Sequence, residues 1–207
     1  MLTIKLIRHY FFSGSLCLVL GFCALSNAAA AEETAVFAGG CFWGVDAVFR
    51  HVKGVTDVVS GYSGGAAATA HYEMVSEGTT GHAESVRIHF NPAQVSYRQL
   101  LQVFFSVAHD PTQLNRQGPD SGSQYRSAIF YTSDGQRKTA QDYIRQLTAA
   151  HTFSDTIVTQ VVPLKQFYPA ETHHQNYLAL HPYQSYIVFN DMPKLEHLRE
   201  QFPALYQ

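Results

Sequence analysis

The sequence predicts an α/β protein: a two-layer sandwich with a ferredoxin-like β-α-β-β-α-β core, a mixed or antiparallel sheet and extra helices towards the C-terminus. Three observations predict it. Residues 84–90 alternate apolar and polar, the mark of a half-buried strand. Val45, Val48 and Phe49, then Leu100, Leu101, Phe104 and Phe105, recur at helical spacing. Short β-like runs at 36–38, 55–62 and 127–132 set these in the order strand, helix, strand, strand, helix, strand.

Each element has its own local reason. Val36-Phe37-Ala38 reads as a strand that Gly39-Gly40 turns sharply. A helix over 42–52 follows and stops at Gly54. The strand over 55–62 ends in the Ser63-Gly64-Gly65 turn, and a Gly/Ala/Thr loop leads to 71–75. After the strand at 84–90, Ser96 caps a helix running to about Ala108. Residues 109–124 are polar and turn-rich. A helix opens at Asp134 or Gly135 and runs to about Ala150. A strand over 157–164, a helix over 171–180 and a last short helix near Pro193 complete the chain. With no repeat or linker after residue 32, residues 32–207 are expected to form a single domain.

Composition narrows the function. At 46% hydrophobic, the 207 residues can build one substantial core. Charged residues are 14%, against roughly 25% in an average soluble protein, which argues against a charge-driven disordered chain. A net charge of −2 leaves no excess of cations to displace counterions, so no nucleic-acid partner is expected. Twelve tyrosines and 14 phenylalanines can wall pockets as well as pack a core.

The N-terminus has the order of a secretory signal peptide: Lys5 and Arg8, an apolar run from Tyr10 to about Leu25, then Ala28 to Ala31. Cleavage is expected after Ala31. A retained anchor is the competing reading, but Ser13, Gly14, Ser15 and Gly21 interrupt the run and shorten it. A lipoprotein signal on Cys23 fits poorly after the bulky Phe22. Cleavage removes Cys17 and Cys23 and leaves one cysteine, Cys41. A lone thiol in an exported protein is either buried and inert or a working nucleophile.

Cys41 lies where a strand ends and a helix begins, within Gly40-Cys41-Phe42-Trp43-Gly44. A helix N-terminus favours a thiolate over a thiol. Phe42 and Trp43, the sole tryptophan, can wall an apolar pocket beside the sulfur. Composition alone favours the plainer alternative, a small inert core residue among ordinary packing aromatics.

That segment resembles the Gly-Cys-Phe-Trp-Gly motif of A-type methionine sulfoxide reductases, the peptide-methionine (S)-S-oxide reductases. Further blocks resemble the family in order: Gly61-Tyr62-Ser63-Gly64-Gly65, Gly81-His82-Ala83-Glu84, His109-Asp110-Pro111, Gln117-Gly118-Pro119-Asp120, Gln124-Tyr125-Arg126-Ser127 and His174-Gln175-Asn176-Tyr177. The resemblance implies that Cys41 attacks the sulfoxide sulfur, that Phe42 and Trp43 hold the substrate methyl, and that Glu84 protonates the sulfoxide oxygen. It implies Tyr72 and Tyr125 as hydroxyl donors and Asp120 as a polar lining residue. The chemistry is consistent with those roles. Oxygen leaves sulfur poorly until protonated, a carboxylic acid kept neutral by burial can supply the proton, and phenols can stabilise charge on the oxygen.

Many members of that family carry recycling cysteines near the C-terminus, whereas residues 181–207 here contain none. The resemblance is therefore to a single-cysteine variant whose Cys41 sulfenic acid an external thiol resolves, either glutathione or a thioredoxin-like protein. No prosthetic cofactor is expected. The 11 histidines show no metal-binding motif, and no metal is expected; His174 is expected among the site's surroundings. The rival readings are a cysteine hydrolase with a Cys/His pair and a non-catalytic binder of methionine-rich segments. Substrates are free or protein-bound methionine sulfoxide, the expected state is a monomer with no membrane attachment after signal removal, and the expected location is a Gram-negative periplasm.

Overall fold

A computed structural model describes residues 31–207, so the expected signal peptide up to Ala30, with Cys17 and Cys23, lies outside the described residues. Strand β1 (Glu33–Gly39) runs into helix α1 (Phe42–Arg50), which returns to β2 (Val55–Ser63). A short helix α2 (Tyr72–Ser76) precedes β3 (Ala83–Phe90), and α3 (Tyr97–Val103) follows. A two-strand hairpin, β4 (Arg116–Gln117) and β5 (Asp120–Ser121), leads to β6 (Ser127–Tyr131) and the long α4 (Asp134–Ala149). Then come β7 (Gln160–Pro163), β8 (Phe167–Pro169), α5 (Tyr177–Leu180) and α6 (Met192–Gln201).

Six strands form one sheet in the order β7-β6-β1-β3-β2-β8. Its central four pair antiparallel, as a β-α-β-β-α-β core requires. The parallel β6–β7 pair makes the sheet mixed, and β8 adds an antiparallel edge. The expected architecture is therefore the observed one. Alternation along the strands sorts side chains onto two faces. Phe37 on β1, Tyr62 on β2, Val86 and Ile88 on β3 and Ile129 on β6 join the main core with Val45, Phe49, Leu101 and Phe104 of the helical layer. Val36, Ala38, Ala128, Phe130 and Phe167 form a smaller cluster. Glu84 stands on β3 in phase with Val86 and Ile88, so a carboxyl occupies a position on the core face.

Several boundaries differ from those predicted. β1 starts at Glu33 because its exposed first residues pair with the end of β3, Glu33 opposite Phe90. The helix expected to reach Ala108 is α-helical only to Val103 and continues as a wider turn over Phe104–Ala108. There Phe104 stacks on Phe37 at 4.8 Å and on His109 at 4.0 Å, so packing sets the local geometry. The strand expected at 157 begins at Gln160, since the Val158 N–H donates to the Pro111 carbonyl instead. The helix predicted over 171–180 is broken. Gln175 is extended and Asn176 adopts a left-handed conformation at φ 51°, leaving helical turns at 172–174 and 177–180. The Gln175 side chain accepts from the Ser60 N–H at 2.9 Å and donates to the Ser60 and Ala170 carbonyls, so it extends the hydrogen bonding of β2 as a strand would.

Candidate active site

The site grows from the β1–α1 junction. Gly40 has φ +91°, a conformation L residues rarely adopt, and the Gln117 side chain lies where a Cβ would be. That turn puts Cys41 at the N-cap of α1. The neighbouring β3 brings Glu84 beneath the same helix end, where its Oε2 accepts from the Phe42 N–H at 3.0 Å. This bond satisfies one of the unpaired amides of α1 and leaves Oε1 free to carry a proton.

A cavity of about 190 Å³ opens at this point. Cys41, Phe42, Trp43, Tyr72, Glu84, Asp120 and Tyr125 all line it, so the structure brings every residue singled out in the sequence to one place. Trp43 stacks face to face on Tyr177 at 3.7 Å between ring centres. Its indole N–H donates to His174 Nδ1 at 3.2 Å, and His174 packs against Phe42 at 5.2 Å and Tyr72 at 4.4 Å. Glu171 accepts from the Tyr72 N–H at 2.9 Å and from the Tyr62 hydroxyl at 2.8 Å, which fixes the start of α2. Tyr125 arrives on a helical turn that Arg126 anchors by donating to the carbonyls of Gly81, His82 and Ser123. Asp120 opens β5 and accepts a hydrogen bond from the Tyr186 hydroxyl.

Tyr186 is the lining residue that sequence reasoning missed. It is one of 12 tyrosines in the chain and lies outside the motif blocks, so it carries no signal in the sequence. Glu171 carried no signal either, and although His174 and Tyr177 lie in a motif block, their contacts to Trp43 were not legible, because each depends on chain brought together across more than 90 positions.

The electrostatics correct one expectation. Placement at a helix start favours a Cys41 thiolate, but burial outweighs it. The thiol is pushed well above its ordinary value by desolvation and by the Glu84 and Asp191 carboxylates, with the Trp43 amide and Lys194 opposing. The resting group is a thiol. Desolvation also raises Glu84 to about 8, against the pull of the Phe42 amide, so this carboxyl is mostly protonated at neutral pH. With Glu84 neutral, its repulsion of a thiolate is largely removed. Burial raises Tyr72 and Tyr125 as well, which keeps both phenols as donors.

A hydrolase needs a histidine on the nucleophile, and among the described residues no histidine hydrogen-bonds Cys41. The buried His109 serves Ser127 at 2.7 Å and the Phe104 carbonyl at 2.9 Å. Among the described residues no group of three His, Cys, Asp or Glu is gathered to hold a metal ion. None of their helices is long and apolar enough to cross a membrane.

Comparison with known proteins agrees with this geometry. The family described as peptide methionine sulfoxide reductase matches residues 33–205. "Peptide methionine sulfoxide reductase MsrA 2" of Mesorhizobium japonicum is 60% identical over 180 residues, covering 87% of this chain and 92% of that protein. The protein of the same name from Synechocystis is 53% identical over 178 residues, covering 86% and 83%. Among solved structures, reduced Mxr1 from Saccharomyces cerevisiae matches with a TM-score of 0.68 at 33% identity, covering 74% of this chain and 87% of that one. Methionine sulfoxide reductase A of Corynebacterium diphtheriae matches with a TM-score of 0.65 at 34% identity, covering 74% and 76%.

Proposed function

The chain belongs to the peptide methionine sulfoxide reductase family, and from that premise we propose how its residues divide the reaction. The enzyme is an oxidoreductase that returns methionine sulfoxide to methionine, a repair of oxidative damage. The S epimer, free or in proteins, binds with its methyl against Phe42 and Trp43 and its oxygen towards Glu84, Tyr72 and Tyr125. Glu84 gives its proton to the oxygen while Cys41, losing its own proton, attacks the sulfur. A Cys41 Sγ–methionine sulfur bond forms as the protonated S–O bond breaks and the oxygen leaves as water. That water then attacks Sγ, the S–S bond breaks with its electron pair returning to the methionine sulfur, a proton goes back to Glu84, and Cys41 is left as a sulfenic acid. Asp120, tied to Tyr186, lines the pocket beside the reacting atoms.

The carrying observation is one cavity holding a lone thiol, a carboxyl raised to about 8 and two phenols. No second cysteine exists from residue 42 to 207, so an external thiol, glutathione or a thioredoxin-like protein, must resolve the sulfenic acid. The signal-like N-terminus supports export to the periplasm, and a single 32–207 domain acting as a monomer completes the proposal.

The test is reduction of the two separated diastereomers of a capped methionine sulfoxide with dithiothreitol as reductant. Turnover of the S form alone, abolished by Cys41→Ser, is the expected result. Turnover of neither form, with Cys41 still titratable, would overturn the assignment and favour a binder or hydrolase.

A further inference from the structure

We propose that the resolving thiol reaches Cys41 through a second cavity, separate from the one that admits the sulfoxide. The inference rests on the proposed Cys41 sulfenic acid. A cavity of about 70 Å³ shares Cys41, Asp120 and Tyr186 with the substrate pocket but is otherwise walled by Gln117, Gly118, Asn190 and Lys194. Glu84, Tyr72 and the aromatic pair Phe42 and Trp43 line only the first cavity. Gly118 and Pro119 are exposed, and a Cβ added to Gly118 would meet nothing within 4 Å, so the second cavity opens outward. It has room for the CH2–SH end of a thiol and little more.

Displacement at sulfur requires the nucleophile in line with the departing oxygen. The oxygen comes from the sulfoxide and is left on the Glu84 side, so the thiol must arrive from the side Glu84 does not line. Lys194 is fixed for this approach. Its ammonium sits 3.1 Å from Asp191, whose carboxylate is fully buried, and a Cβ on Gly44, in the first turn after Cys41, would overlap both groups. Lys194 offsets the Asp191 and Asp120 carboxylates that would otherwise repel an incoming thiolate. The thiolate forms a bond to Cys41 Sγ as the S–O bond breaks, and the hydroxide takes up a proton to leave as water. A second thiol then attacks the mixed disulfide and frees Cys41.

The two half-reactions separate the possibilities. Without reductant, full-length enzyme and the S-sulfoxide should form one equivalent of methionine, and this burst reports the first step alone. Added glutathione or thioredoxin then reports resolution as loss of the sulfenic acid. Asn190→Phe, which plugs the second cavity, should leave the burst rate and amplitude unchanged and slow resolution about tenfold or more. Slowing with one reductant identifies the thiol source the cavity serves. Lys194→Gln should slow resolution near neutral pH and approach the parent at higher pH, where the thiol ionises unaided. Resolution unchanged in both variants, or burst and resolution slowed equally in both, would overturn the proposal. A missing burst in the parent enzyme would instead refute the Cys41 assignment.

Discussion

Glu84 concentrates the conflict between stability and chemistry in one side chain. Burial lifts it from 4.5 to about 8, so the folded protein holds a proton that the unfolded chain releases. Its contribution to stability is complete below pH 4.5 and is lost as pH rises through about 8. The Glu84→Gln variant, which keeps the acceptor for Phe42 but never ionises, should therefore melt higher than the parent above pH 8, the gap closing towards pH 4.5. The same substitution removes the acid and should slow methionine formation about 10²–10⁴-fold. In the parent, the burst rate should fall as pH rises through about 8 as far as Glu84 limits it. Gly40→Ala should cost about 1–2 kcal/mol from its positive φ alone, with the overlap on Gln117 adding to it, read as a shift in urea midpoint. Six of the seven expected lining residues lie within motif blocks, and Tyr72 was found from its place between two of them. Tyr186 and Glu171 were not, since their roles arise from contacts made only after folding.

At the level of elements, sequence reads best where a local cause acts alone. Ser96 accepts from the Gln99 N–H at 3.2 Å and the Gln99 side chain reaches back to the Ser96 N–H at 2.9 Å, a reciprocal cap visible as Ser-x-x-Gln in the chain. Ser96→Ala should destabilise by about 1 kcal/mol, again measured by urea unfolding. Ser133 marks the start of α4 in the same way, accepting from the Gln136 N–H. Reading failed where distant packing decides. The left-handed Asn176 follows a Gln175 committed to Ser60, 115 positions away, and nothing near 175 announces that partner. The two-residue strands β4 and β5 are too short for any periodicity to show.

For the molecule as a whole, Phe37 joins the two layers. Its ring meets Phe49 of α1 at 5.6 Å, Tyr97 of α3 at 5.9 Å and Phe104 at 4.8 Å, and it is fully buried. Phe37→Ala should cost about 3–5 kcal/mol, seen as a lowered urea midpoint. Because β1 also carries the turn to Cys41, partial loosening should reduce the burst amplitude before global unfolding. The order of the central strands was legible, since the strand–helix–strand–strand–helix–strand sequence admits few topologies. The flanking β7 and β8 were harder: β8 has three residues and its pairing with β2 is anchored by chain from far along the sequence.

The burial that keeps Cys41 as a thiol has a consequence for survival. Hydrogen peroxide consumes thiolates far faster than thiols, and it can drive cysteine on to sulfinic acid, from which most proteins do not recover. In the proposed reaction the sulfur becomes reactive when a sulfoxide sits against Phe42 and Trp43 and Glu84 can give up its proton. On that reading the enzyme would be shielded from the oxidants that create its substrate, and peroxide should oxidise resting Cys41 more slowly than an exposed thiol of ordinary acidity.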